Sequence, residues 1–230
     1  MISVCLATYN GGRYLECQLK SILSQLGADD EIVVSDDGSK DSTLDIINSF
    51  NDSRIKVFRN ECHGVIHNFG NALCHANGDY IFLSDQDDEW MPDKVKICME
   101  YLKHYHCVTT DCYVSDSEGN ITAESFFKLN RTKTGKWYNL LLKNGYLGCC
   151  MAFRKEITDK ILPFPDDIPM HDIWIGDVAA FKYSMAFVPD RLIKYRRHGD
   201  NTSSAAEKSR SGIMEKIGYR WRIIKHLLFA

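Results

Sequence analysis

No apolar run in these 230 residues is long enough to span a bilayer, which sets aside a membrane-spanning helix. An excess of positive charge is also missing. Lys and Arg number 28 against 31 Asp and Glu, and a net charge of −3 argues against general nucleic-acid binding. Nine cysteines are present, none in C-x-x-C spacing, and no signal peptide opens the chain. The expectation is reduced thiols in a cytoplasmic protein, with Cys149 and Cys150 as small buried residues. Internal repeats and low-complexity linkers are absent. What remains is 44% hydrophobic and 26% charged, an ordinary globular balance. The length fits one large α/β domain, or a domain with a small appendage, able to bury a real core.

One stretch organises the rest: Asn77 to Trp90, N-G-D-Y-I-F-L-S-D-Q-D-D-E-W. Asn77-Gly78 is a turn signal, and Tyr80 to Leu83 has the aromatic and β-branched content of a buried strand. That strand runs into Asp85, Asp87, Asp88 and Glu89, four acids within five residues. Such a cluster repels itself, so it is either solvated or bound to something positive. At the carboxyl end of a strand the second option gains weight, because open α/β sheets bind ligands there. Asp85 and Asp87 also have a spacing that can bring two oxygen donors to one hard divalent cation.

From its start the chain alternates. Residues 2–8 read as a strand, and Leu15, Leu19, Ile22, Leu23 and Leu26 mark a helix closed by Gly27. Glu31 to Ser35 is a second strand, ending in Asp36-Asp37-Gly38-Ser39. A helix follows with Leu44, Ile47 and Phe50, then a strand from Ile55 to Phe58 and a helix over 65–76. This order predicts a parallel, doubly wound sheet whose strands deliver polar loops to one edge, where a nucleotide would sit. Beyond a helix from Pro92 to about Tyr105 the chain changes character. Val108 to Ser115 reads as a strand, 121–135 as an irregular polar segment, and Trp137 to Lys143 as a helix. The run G-Y-L-G-C-C-M-A-F reads as a strand whose small residues admit a close approach. A helix opens at His171-Asp172, followed by two short strands, Met185 to Val188 and Leu192 to Arg196.

Five segments together carry a resemblance: A-T-Y-N-G-x-x-Y-L, V-V-S-D-D-G-S-x-D-S, A-N-G-D-Y-I-F-L-S-D-Q-D-D-x-W, H-D-x-W and Y-R-x-H-x-x-N. In this order they resemble glycosyltransferase family 2, of the GT-A fold, over roughly residues 1–200. The S-D-Q-D-D-x-W and H-D-x-W forms are most similar to the rhamnosyltransferase-like branch that builds bacterial surface polysaccharides. The resemblance implies an α/β, Rossmann-like GT-A domain over residues 1–205 with a central, mostly parallel sheet. Its nucleotide-binding half would be 1–104 and its acceptor-binding half 105–205, with an amphipathic helical tail over 206–230. It also implies an inverting enzyme that uses a UDP- or dTDP-sugar donor, a saccharide acceptor and Mn²⁺ or Mg²⁺.

Carried over residue by residue, Asp87 and His198 would be metal ligands, with Asp85 reaching the ribose or, through water, the metal. A multiply charged leaving group needs such a cation as the glycosidic bond breaks. Arg196 and Arg197 would contact phosphate. Asp37 would accept the pyrimidine N3–H, which uracil and thymine share. Ala7, Thr8 and Asn10 would line the same pocket, and Asn68 would contact the nucleotide, hold the loop or cap its helix. Inversion needs a base opposite the leaving group, and Asp172 matches the family's base position. Asp88 would support the ligands or act as a cap. Trp174 would offer a flat face to a sugar, with His171 as a polar partner, and Trp90 would face either a sugar or the core.

Ile213 to Phe229 is basic and amphipathic, with Trp221 near the border of its apolar face. Such a helix either lies on an anionic membrane at the cytoplasmic face, beside a lipid-linked acceptor, or packs on its own domain or on a second subunit. Two other functions share part of this pattern. A non-catalytic nucleotide-sugar-binding module would not need Asp172 or His198. A nucleotidyltransferase would need a glycine-rich basic phosphate loop, and the first turn here, Tyr9 to Arg13, holds a single basic residue.

Overall fold

In the computed structural model of the chain, residues 1–199 and 212–229 are described. The first half alternates as its sequence predicts: β1 (Ile2–Thr8), α1 (Leu15–Leu23), β2 (Glu31–Asp36), α2 (Thr43–Ser49), β3 (Ile55–Arg59), α3 (Val65–His75) and β4 (Tyr80–Asp85). Then follow β5 (Glu89–Trp90), α4 (Lys94–Leu102), β6 (Cys107–Ser115), β7 (Ile121–Ala123), α5 (Phe126–Asn130) and α6 (Lys136–Leu141). The chain continues through β8 (Met151–Arg154), α7 (Thr158–Ile161), α8 (His171–Lys182), β9 (Met185–Arg196) and α9 (Ile213–Phe229).

One nine-stranded sheet runs in the order β3-β2-β1-β4-β8-β6-β9-β5, with β7 on β6. The first four neighbours are parallel. Their register sets Thr8 beside Asp36 and Ala7 beside Asp85. Strand order reverses between β1 and β4, the place where open α/β sheets leave a crevice. Because side chains alternate across a strand, Val4 and Leu6 point to one face and Cys5 and Ala7 to the other. The first pair packs with Leu15, Leu19 and Ile22 of α1, and the second with Phe69, Ala72 and Leu73 of α3.

The second half departs from a simple parallel sheet. β8 lies antiparallel to both β4 and β6, while β6 and β9 run parallel. The two short strands expected at 185–196 are one strand, β9. Its ladder passes from Thr110↔Val188 to Asp111↔Arg191, so Pro189 and Asp190 bulge out where proline offers no N–H. The strand expected over G-Y-L-G-C-C-M-A-F is shorter: Gly148–Cys150 is a 3₁₀ turn, and pairing begins at Met151. The close approach is real, since a Cβ on Gly148 would lie 2.9 Å from His171 Nε2 and 3.4 Å from Asp172 Cβ. The polar segment 121–135 holds β7 and α5, the latter capped by Ser125, whose Oγ accepts from Lys128 N.

α9 divides its apolar residues between two faces. Ile223 and Leu227 are buried in the core cluster that holds α8. The helix is pinned by His226 Nε2 to Asp167 Oδ1 at 2.6 Å and by Arg220 donating to Leu142 O at 2.7 Å. Met214, Ile217, Trp221 and Leu228 stay exposed. Ile217, Ile224, Leu227 and Leu228 therefore do not share one face: Leu227 turns inward and Leu228 outward. Among the described residues no helix is long and apolar enough to cross a membrane.

Candidate active site

Two loops close the crevice on the β1–β2 side. Asp36 is buried, and its carboxylate accepts from Thr8 Oγ1, Gly38 N and Ser39 N at 2.9–3.0 Å, which fixes the turn. Asp37 projects next to it. Its Oδ1 accepts from Asn60 Nδ2 at 2.8 Å and lies 3.1 Å from His63 Nδ1, while Oδ2 accepts from Gly64 N at 2.8 Å. The carbonyl of Thr8 accepts from Asp37 N and from Asn68 Nδ2. Asn68 thus holds the loop; it is not the cap of α3, a position taken by Gly64. Asn10 has φ 49°, and its N–H donates to Ser39 Oγ while its Oδ1 accepts from Lys40 N. Ala7, Thr8, Asn10, Asp37 and Asn68 therefore come together at one rim.

The acid loop forms the opposite rim. Gln86, the residue between Asp85 and Asp87, grips Tyr9 through both backbone groups at 2.8 and 3.0 Å. Any Cβ on Gly11 would strike Gln86 Oε1 at 2.1 Å, so the clamp requires glycine there. β5 pairs with the end of β9, which delivers Arg196, Arg197 and His198 to the same loop. His198 Nε2 lies 2.8 Å from Asp87 Oδ2, and its ring stacks on Tyr14 at 5.1 Å. Arg196 donates from its backbone N to Asp88 Oδ1, from Nε to Asp87 O and from Nη1 to Ser117 O. Arg196 is 7% exposed, and through these bonds it braces the acid loop. Arg197 Nη1 donates to Tyr195 Oη.

Asp172 reaches the cluster from α8. It is not the helix N-cap, which is Met170. Its Oδ1 accepts from Ile173 N at 2.7 Å and its Oδ2 from Gly148 N at 3.2 Å. Burial raises its carboxyl to about 6 against the pull of those two N–H groups. Asp85 is pushed to about 8 by burial, then by the neighbouring charges of Asp87 and Asp172. Asp88, fully buried, is raised by burial and by Asp87 and Asp85. One late-chain acid and three strand-end acids thus share a single electrostatic field.

That field fits a cation. Donor atoms of Asp85, Asp88 and Cys149 lie within 4.8 Å of one another, and Asp88 Oδ2 is buried without a hydrogen-bond partner. Carboxylate oxygens suit hard divalent ions, and such an ion would offset the burial and relieve the repulsion that together raise Asp85 and Asp88.

Both tryptophans are core residues, Trp174 against its expected sugar-facing role and Trp90 by the second of its two alternatives. Trp174 is 2% exposed and donates from Nε1 to Ile161 O at 3.1 Å. Trp90 is 3% exposed, tilted against Phe82, with Lys94 Nζ 4.9 Å from its ring. Neither ring offers a face to a sugar. His171 is not a polar partner either: burial lowers its imidazole to about 3, and it stacks on Phe69 with neither nitrogen hydrogen-bonded. Sequence reasoning gave no site role to Gln86 and Tyr14, although both lie within the motifs, and it read Gly148 and Cys149 only as small residues that admit a close approach. Their place at the site comes from long-range pairing, which leaves no local trace.

The family model for glycosyl transferase family 2 matches residues 3–162. The chain belongs to that family and is a glycosyltransferase. Among curated relatives it is 36% identical to the Escherichia coli UDP-Glc:alpha-D-GlcNAc-diphosphoundecaprenol beta-1,3-glucosyltransferase WfaP, covering 96% of this chain and 88% of the relative. It is 29% identical to the Shigella flexneri dTDP-rhamnosyl transferase RfbG, covering 96% and 82%. Staphylococcus aureus TarS, solved in complex with UDP-GlcNAc, superposes with a TM-score of 0.74 at 19% identity over 100% of this chain and 67% of that one. This likeness shows the fold, the GT-A arrangement that the motifs imply. Other structures of the same fold hold UDP with Mn²⁺ or Mg²⁺.

Proposed function

We propose that this glycosyltransferase moves a sugar from a UDP- or dTDP-sugar to a hydroxyl of a saccharide acceptor, with inversion, in the synthesis of a bacterial surface polysaccharide. The observation that carries the reading is the convergence of Asp172 with Asp85, Asp87 and Asp88. A nucleotide-binding module has no use for a buried carboxylate of raised pKa brought from the far half of the chain, and family membership sets aside a nucleotidyltransferase. Residues 1–104 serve the nucleotide and residues 105–205 the acceptor, with 206–230 as an amphipathic helical tail.

Asp37 accepts the base N3–H. A carboxylate has about four acceptor sites, and the three protein contacts of Asp37 leave room for one more. Ala7, Thr8, Asn10 and Asn68 shape the pocket around it, with Asp85 on the ribose side. Asp87 and His198 hold a divalent cation, Mn²⁺ or Mg²⁺, beside Asp85. When bound, that cation neutralises charge on the diphosphate leaving group. Asp172 takes the proton of the acceptor hydroxyl as its oxygen attacks the anomeric carbon from the opposite side. The relative that acts on a diphosphoundecaprenol-linked sugar supports a lipid-linked acceptor, with the enzyme peripheral at the inner face of the cell membrane through α9. A panel of UDP- and dTDP-sugars with a saccharide acceptor tests the reading. Acceptor-dependent release of a nucleoside diphosphate and a product of opposite anomeric configuration by NMR are expected. Release with none of the donors, or a retained configuration, would refute it.

A further inference from the structure

Beneath the strand-end acids the fold places a sulfur. Cys149 sits in the 3₁₀ turn Gly148–Cys150 and is fully buried, and Lys94 Nζ donates to its carbonyl at 3.2 Å, which anchors the turn. Its Sγ joins a carboxylate oxygen each from Asp85 and Asp88 within 4.8 Å. Asp88 is fully buried, its Oδ2 meets no donor in good hydrogen-bond geometry, and the group that faces its carboxylate is the Cys149 thiol. The opposite oxygen accepts from Arg196 N, so the carboxylate cannot turn away from the site without losing that bond.

We propose that Cys149 is a sulfur donor to a cation beside Asp85, the acid that this cluster shares with the Asp87–His198 pair, which makes the site more thiophilic than its carboxylates alone. As the metal–sulfur bond forms, the thiol proton leaves to solvent. Thiolate favours softer ions, while carboxylates serve Mg²⁺ and Mn²⁺. The sulfur therefore adds affinity for Zn²⁺ or Cd²⁺ and little for Mg²⁺. The proposal rests on the reading that the strand-end acids hold a divalent cation, and the experiment separates the two.

The full-length protein, with the exposed Cys17, Cys62 and Cys74 alkylated beforehand, is titrated with Cd²⁺ and followed by thiolate-to-metal charge-transfer absorption. Mn²⁺ and Mg²⁺ binding are measured by calorimetry on the same samples. The wild type shows the band; Cys149→Ser loses it and binds Cd²⁺ at least about tenfold more weakly, while its Mg²⁺ affinity is unchanged. Asp88→Asn also loses the band although every thiol is intact, which separates this site from cadmium held by Cys149 and Cys150 alone. A band of full strength in Cys149→Ser or in Asp88→Asn, with Mn²⁺ binding preserved, overturns the sulfur donor and leaves the carboxylate site standing. Binding of no divalent ion by the wild type overturns both.

Discussion

Asp172 is pulled in opposite directions by its surroundings, and burial outweighs the two backbone N–H groups, leaving the carboxyl at about 6. The consequence for pH follows from the sign. A general base works deprotonated, so turnover is full above that value and is lost as pH falls through it, by about tenfold per pH unit well below. The profile of kcat at saturating donor is therefore expected to carry an acidic limb between about pH 5 and 7. A flat profile across that range would deny Asp172 the role. At this scale the sequence was legible where chemistry constrains residue type. Asp37, Asp85, Asp87 and His198 stand out because acids and a histidine at loop ends have few structural reasons to cluster. Trp90 and Trp174 were not legible, since an aromatic beside an acid reads the same whether its ring meets a sugar or the core, and packing alone decides. Arg196 was half legible. Its place at the site is as expected, but its guanidinium braces the loop through the carbonyls of Asp87 and Ser117.

Helical elements were readable from their 3.6-residue period, and α9 spans the residues its pattern indicates. Its two-faced use was not readable, because Leu227 and Leu228 differ by one position and only the partner helix separates them. The inner face, through Ile223 and Leu227, holds α9 to its own domain. The outer stripe of Met214, Ile217, Trp221 and Leu228 is exposed among the described residues, and Lys225 is exposed nearby. The packing alternative is therefore realised on the inner face, and contact of the outer stripe with an anionic membrane is our proposal. Trp221→Glu is expected to weaken binding to anionic vesicles by about tenfold to a hundredfold, as an apolar side chain of this size contributes about 1.5–3 kcal/mol when buried. Its Tm should stay unchanged, because the indole is 68% exposed. Co-sedimentation with vesicles and a melting curve check both. A variant that sediments like the wild type, or that loses a dimer instead, would show that the stripe does not meet lipid. β8 was the hardest element to read. Four residues carry too little pattern to show that they pair with both β4 and β6.

Across the whole molecule, strand–helix alternation made the parallel half predictable from β1 to β4. The antiparallel insertion of β8 was not, because long-range pairing leaves no local trace. That insertion is what brings the Gly148–Cys150 turn to the end of β4, and Gly148 N in turn holds Asp172. The two halves of the chain thus meet at one cluster of acids, and transfer depends on that meeting. Asp172→Asn tests it most directly. Asn keeps the shape, and its single amide oxygen can accept from either Gly148 N or Ile173 N, so the fold and donor affinity should be preserved at a modest cost in stability for the other bond. The loss should fall on kcat, by about 10² to 10⁴, the worth of a positioned general base, with donor KM little changed. A variant that keeps the wild-type kcat while binding donor normally would contradict the account.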